Sequence, residues 1–296
     1  MELTEPTVWS ADRLELGEGA RWVDDRLVLV DLLAGRLLTT DGDGPAPLVE
    51  LRRLDVPLGA VAPVDEHPGE WLAVAGTGVA RLTADGGRRA VADLEGGNPE
   101  PARMNDAVAD PHGRFWAGSM TYAGTPGGGS LYRIDPGAAP APVVTGLTIA
   151  NGPAFDGAGT TMYLADTPRG HVDRFTVDAG GGALGDRTPF LRLDPAEGAP
   201  DGMTVDAEDH LWVALWGGSA VRRYRPDGTL DREIRLPAVQ PTSVCLGGPG
   251  LRRLFVTTAS HGLRDPGPFD GALLAVDVPV AGRPAAPVAA GWAADV

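Results

Sequence analysis

The sequence predicts an all-β fold, a six-bladed β-propeller, on three observations. Its apolar runs are short and bounded by turns, they recur at roughly 45 residues, and six of them can be aligned. The runs are RLVLVD (26–31), EWLAVAG (70–76), RFWAGSM (114–120), TMYLAD (161–166), HLWVALW (210–216) and RLFVTTA (253–259). None sustains a 3.6-residue period, and Gly or Pro interrupts nearly every candidate helix. The punctuation is turn chemistry, as in DPHGR (110–114), DGAGT (156–160) and RPDGT (225–229). Gly and Pro supply 42 and 27 of 296 residues, but 43% of the chain is hydrophobic, which favours an ordered, turn-rich fold over a linker.

Aligned, the runs place Leu29, Trp71, Trp116, Tyr163, Trp212 and Phe255 at corresponding positions, at intervals of 42, 45, 47, 49 and 43 residues. A second run follows about a dozen residues on: GVARLTADG (78–86), SLYRIDPG (130–137), HVDRFTVDAG (171–180) and AVRRYRPDG (220–228). Six units of a few short strands make about 24 strands, too many for a two-sheet sandwich. A closed ring leaves little room for another domain, so residues 1–296 are expected to form one propeller domain. A ring also needs a latch, and the segment EPTVWSADR (5–13) is expected to add the outer strand of the last blade. The Gly-rich stretches 124–129 and 179–185 read as surface connections, and 288–296 as a short tail.

Composition excludes several functions. With 25 basic and 40 acidic side chains the net charge is −15, which disfavours nucleic acid and anionic membranes as partners. All the basic residues are Arg, so a Schiff-base lysine and a P-loop lysine are both ruled out. A single cysteine, Cys245, allows no disulfide framework, Cys-based zinc site or redox pair; it reads as a core residue. The start, MELTEPTVWSADR, lacks a basic and an apolar leader region, and no long apolar span follows. A soluble, cytoplasmic protein is expected.

Counting back from each anchor locates the start of the innermost strand of each blade. Eleven residues before Leu29, Trp71, Trp116 and Trp212 stand Glu18, Ala60, Asn105 and Asp201; twelve before Tyr163 and Phe255 stand Asn151 and Ser243. Innermost strands line the central channel, so these positions converge at one mouth. Asn and Asp before Gly, or in Asn-Asp, commonly start tight turns, but Glu18 has no such preference. Two carboxylates in one channel repel unless a cation neutralises them. Oxygen ligands without His or Cys suit a hard divalent ion, Ca²⁺, Mg²⁺ or Mn²⁺, with zinc less well served. An incomplete protein shell suits a Lewis-acid catalyst. The sequence thus predicts a metal site at the mouth of the channel.

The stretches GEGARW (17–22), RMND (103–106), FWAGSM (115–120), NGPAFD (151–156), PDGMTVD (200–206) and PTSVCLGG (241–248) resemble the signatures of the SMP-30/gluconolactonase/regucalcin-like family. The resemblance runs in order from about residue 14 to 276. It implies a six-bladed propeller that hydrolyses sugar lactones with one divalent metal, Ca²⁺ foremost. Position by position it implies Glu18, Asn151 and Asp201 as metal ligands and Asp201 as general base or base-assisting ligand. Arg103 and Asn105 are implied to hold substrate oxygens. Two departures stand out. GEGA replaces the commoner GEGP, and Thr121, Tyr122 and Ala123 offer no acidic residue where sugar-binding relatives often carry one after G-[ST]-M.

Other residues weigh less. His67, His112, His171, His210 and His261 fall mostly in turns or strand ends, which speaks against a Ser-His-Asp triad. Tyr122 and Trp216 are candidates for an apolar wall beside the substrate, and His261 for a loop reaching the mouth. The reading is a metal-dependent lactonase acting on a small-molecule lactone. Alternatives are hydrolysis of another ester, a phosphorus ester or a natural-product lactone on the same metal, or a non-catalytic ion-binding propeller; Arg103 beside Asn105 favours an enzyme.

Overall fold

The computed structural model describes residues 3–40 and 44–293. After β1 (Thr7–Ser10), blade 1 is β2–β5 (Gly17–Val23, Arg26–Asp31, Arg36–Thr40, Leu48–Arg53) and blade 2 is β6–β9 (Leu58–Pro63, Trp71–Ala75, Gly78–Leu82, Arg88–Asp93). Blade 3 is β10–β13 (Ala102–Ala109, Phe115–Thr121, Gly129–Ile134, Ala141–Leu147) and blade 4 is β14–β17 (Ala150–Phe155, Thr161–Asp166, His171–Val177, Leu184–Arg192). Blade 5 is β18–β21 (Ala199–Val205, Leu211–Trp216, Ala220–Tyr224, Leu230–Arg235), and blade 6 holds β22–β24 (Pro241–Gly247, Arg253–Thr258, Leu273–Asp277). Each blade is an antiparallel four-stranded sheet in chain order from its inner strand outward. The fourth strand of blade 6 is β1, which pairs with β24 through Thr7↔Ala275 and Val8↔Leu274. The propeller expected from the repeat is the fold observed.

The six anchors sit on the second strands β3, β7, β11, β15, β19 and β23, all nearly free of solvent. Two tryptophans are locked there by the turn before them. Asp110 accepts the Trp116 indole N–H at 2.9 Å and Asp206 that of Trp212 at 2.8 Å, while their second oxygens hold turn amides. Each such aspartate is also paired with an arginine, Arg114 or Arg223, so a buried charge is compensated.

The hydrophobic core is divided. Six clusters of buried side chains lie one between each pair of neighbouring blades, and the cluster joining blade 6 to blade 1 contains Trp9 of β1. Backbones approach closely where side chains are smallest. A Cβ on Gly59 would stand 1.9 Å from the Asn105 carbonyl, so β6 can lie against β10 only with glycine there.

The tail is more than a surface extension. Beyond β24 the chain crosses the ring at the far ends of the inner strands, bonding through Ala285 N to Trp22 O (3.1 Å), Val288 N to Pro63 O (2.9 Å) and Ala289 N to Gly113 O (3.0 Å). Val288 is fully buried and Trp292 nearly so, both packed in the cluster between blades 2 and 3. This strap forms one wall of a cavity of about 210 Å³ lined by Arg21, Val61, Phe155, Met203, Cys245 and Ala286. Among the described residues no helix is long and apolar enough to cross a membrane.

Candidate active site

All six counted positions lie on the inner strands, at the end of the channel opposite the strap. Each inner strand carries a one-residue bulge there, as the pairing slips between Glu18 and Arg21, Leu58 and Ala60, Met104 and Ala107, Asn151 and Ala154, Pro200 and Met203, and Pro241 and Val244. A bulge frees one residue from the ladder and re-aims its side chain. Gly152 makes the bulge of β14 possible: it has φ +52°, and a Cβ on it would lie 2.5 Å from the Asp201 carbonyl. The strands are also gripped just upstream. Asp31 accepts the amide of Leu16 at 3.1 Å, ahead of Glu18, and Asp166 accepts those of Thr148 and Ile149 at 3.1 and 3.2 Å, ahead of Asn151.

Glu18, Asn105, Asn151 and Asp201 are each about 5% exposed or less. The Asn151 amide donates to Asp201 Oδ1 and, at 3.3 Å, to Thr167 Oγ1, while its own oxygen accepts the Gly152 amide at 2.9 Å. Burial pushes the Glu18 carboxyl well above the ordinary range, and repulsion from Asp201 and Asp106 adds to it. Asp201 is raised the same way, first by burial and then by Asp106, against the bond from Asn151. Arg103, buried beside them, donates to Asn105 Oδ1 at 2.8 Å and to the Met104 carbonyl at 3.0 Å. Asn105 in turn donates to the Ala150 carbonyl at 3.1 Å, which ties blade 3 to blade 4.

Tyr122 is 53% exposed and its ring centre lies 6.0 Å from the Arg103 guanidinium carbon. Ser243 is held to blade 1, accepting the Ala20 amide at 3.2 Å. Trp216 is half-buried against the cluster between blades 1 and 2. His261 is half-exposed, 3.5 Å from Glu15. Burial pushes the Cys245 thiol up to about 12, as for an inert core residue.

Residues 16–260 match the family model described as SMP-30/Gluconolactonase/LRE-like region. The chain belongs to this family. Among its relatives, pentonolactonase XacC of Haloferax volcanii is 36% identical over 91% of this chain and 93% of its own. The 6-deoxy-6-sulfogluconolactonase of Pseudomonas putida is 33% identical over 82% and 83%. Among solved structures, the calcium-binding protein regucalcin from Agrobacterium tumefaciens superimposes with a TM-score of 0.88 over 97% of this chain and 98% of its own, at 27% identity.

Two residues of this SMP-30/gluconolactonase-like channel escape a reading of the sequence. Asp106 is fully buried beneath the site, and Arg21 reaches it from blade 1 at 3.4 Å, also donating to the Ala107 carbonyl at 2.7 Å. Strict alternation along β10 would turn Asp106 away once Asn105 faces the channel; the bulge lets both turn inward. The Asn-Asp pair in RMND carried the signal but reads equally well as a turn.

Proposed function

We propose that the chain is a divalent-metal-dependent lactonase that opens a small lactone, a sugar lactone or a related one, to its hydroxy acid. The observation that carries this reading is the mouth of the channel: two buried carboxylates, Glu18 and Asp201, with the Asn151 amide bonded to Asp201 and Arg103 beside them. The named activities of the pentonolactonase and sulfogluconolactonase relatives support it.

The residues fit a divalent ion by the chemistry of their donors. All are oxygens and two belong to carboxylates buried in one channel, a pair whose repulsion a cation would relieve. Among the described residues no three His, Cys, Asp or Glu side chains lie close enough to hold an ion by themselves, and the Asn151 amide oxygen would be the third protein ligand in this reading. Glu18, Asn151 and Asp201 would hold the ion. Such a set favours Ca²⁺, with Mg²⁺ and Mn²⁺ next and Zn²⁺ last. When bound, the ion supplies Lewis-acid polarisation of the lactone carbonyl.

The side chains supply the rest. Arg103 spends one nitrogen on Asn105 and the Met104 carbonyl, leaving its other N–H donors for ring or carbonyl oxygens. Asn105 keeps one amide proton beyond its bond to the Ala150 carbonyl for the same use. Tyr122 forms the outer wall, and the bulged strands fix these groups in place before substrate arrives. Asp201 accepts the proton of the attacking water at its carboxylate and returns it to the ring oxygen as the C–O bond breaks.

The test is a pH-stat assay on a panel of aldonolactones and unsubstituted lactones, with EDTA and after CaCl₂ is restored. Hydrolysis lost to EDTA and recovered with the ion is expected. An ion-binding protein that hydrolyses none of the panel, nor simple esters, would refute the enzyme reading.

A further inference from the structure

We infer that Asp106 is a positioning residue of this site, whose charge, set beneath Glu18, Asn151 and Asp201, strengthens their hold on a divalent cation. The inference rests on the metal reading above. Asp106 stands where three inner strands meet. It lies on β10 directly after Asn105, pairs with Arg21 of β2, three residues after Glu18, and through Asn105 its strand is bonded to the carbonyl of Ala150, the residue before Asn151 on β14. Its own bulge is closed by a 2.8 Å bond from the Ala107 amide. Asn151 in turn donates to Asp201, so Asp106, Glu18 and Asp201 belong to one linked group of buried side chains.

A field that repels other carboxylates attracts a cation. Arg103 and Arg21 both stand in this buried group, so a negative charge on Asp106 offsets the Arg21 cation and leaves the low-dielectric pocket more favourable to a divalent ion. Among the described residues Asp106 does not gather with Glu18 and Asp201 into a cluster able to hold an ion, which gives it a supporting place and not that of a ligand. Its place is that of the outer partners that orient ligands and tune a metal, whose loss commonly weakens metal affinity 10–100-fold. Arg21 has the opposite effect, because it neutralises part of the Asp106 charge.

The experiment is calorimetric titration of the full chain with CaCl₂, after EDTA treatment and dialysis, for wild type, D106N and R21Q, with thermal melts in EDTA. D106N keeps the shape and one acceptor oxygen but loses the charge. It is expected to bind Ca²⁺ about tenfold or more weaker, while melting in EDTA no lower than wild type. R21Q is expected to bind Ca²⁺ as tightly as wild type or tighter. A D106N protein with wild-type Ca²⁺ affinity overturns the inference while leaving the metal reading intact. So does one that melts lower in EDTA or does not fold, which would assign Asp106 to the fold alone, and so does an R21Q protein weakened as much as D106N. A wild type that binds no Ca²⁺, Mg²⁺ or Mn²⁺ refutes the metal reading and this inference together.

Discussion

Asp201→Asn separates the cost of the site from its use. The substitution keeps size and shape, and an amide oxygen can still accept the N–H of Asn151. What disappears is one of two mutually repelling carboxylates, buried with Asp106 nearby. A folded-state pKa raised above the unfolded value means that the ionised group opposes folding at neutral pH. Without metal, the variant should therefore be the more stable protein. A single stabilising substitution commonly adds about 0.5–2 kcal/mol. At about 2.1 cal/mol/K per residue, 296 residues give roughly 1.6 °C per kcal/mol, so Tm in EDTA should rise by about 1–3 °C. The wild type should regain more than that from the ion, since ligand at a hundredfold excess over Kd adds about 2.7 kcal/mol, or roughly 4 °C on the same scale. Most of that gain should vanish in the variant, and kcat on its best lactone should fall by at least ~10², the lower end for a general base. Scanning fluorimetry in EDTA and in CaCl₂, with pH-stat kinetics, reads all three quantities. A variant that melts below wild type in EDTA refutes the electrostatic account. One that keeps near-native turnover removes Asp201 from the mechanism.

Three further outcomes follow from the same structure. Because Glu18 and Asp201 have raised proton affinity, metal-free stability from this site is present at low pH and lost as pH climbs above the ordinary carboxylate range. Ion binding needs the deprotonated forms, so the Tm gain from CaCl₂ should grow between about pH 5 and pH 8; a gain independent of pH would contradict this. Ala123, exposed beside Tyr122, offers substrate hydroxyls no acceptor. Ala123→Glu should raise the kcat/KM ratio of gluconolactone over an unsubstituted lactone about tenfold or more, for a hydrogen bond to charge worth ~1.5–3 kcal/mol; a wild-type ratio already near ~10³ would show another acceptor at work. Val288→Ala removes two methyl groups from a site with no solvent exposure and should cost about 1.6 kcal/mol or more, lowering Tm by roughly 2–3 °C without changing KM. An unchanged melt would mean that the strap contributes nothing.

The sequence alone determined the number of blades, the place of the second strands and the positions at which polar residues enter the channel. These follow from local chemistry repeated along the chain: apolar runs cut by Gly, Pro and Asp turns, at a spacing one blade imposes. Glu18, Asn105, Asn151 and Asp201 were legible because equivalent positions of a ring must converge, whatever the details of packing. Contacts between blades were not legible, because they join residues far apart in sequence and depend on departures from regular alternation. Only the tertiary structure showed that a bulge turns Asp106 inward beside Asn105, that Arg21 meets it from another blade, and that Asn151 bridges to Asp201. The same holds for Val288 and Trp292, which lie in the stretch read as a short tail and become core only because they pack between blades 2 and 3. Tyr122, placed over Arg103 by the backbone bond from its amide to the Pro101 carbonyl, owes its position to a loop whose sequence specifies only that it turns.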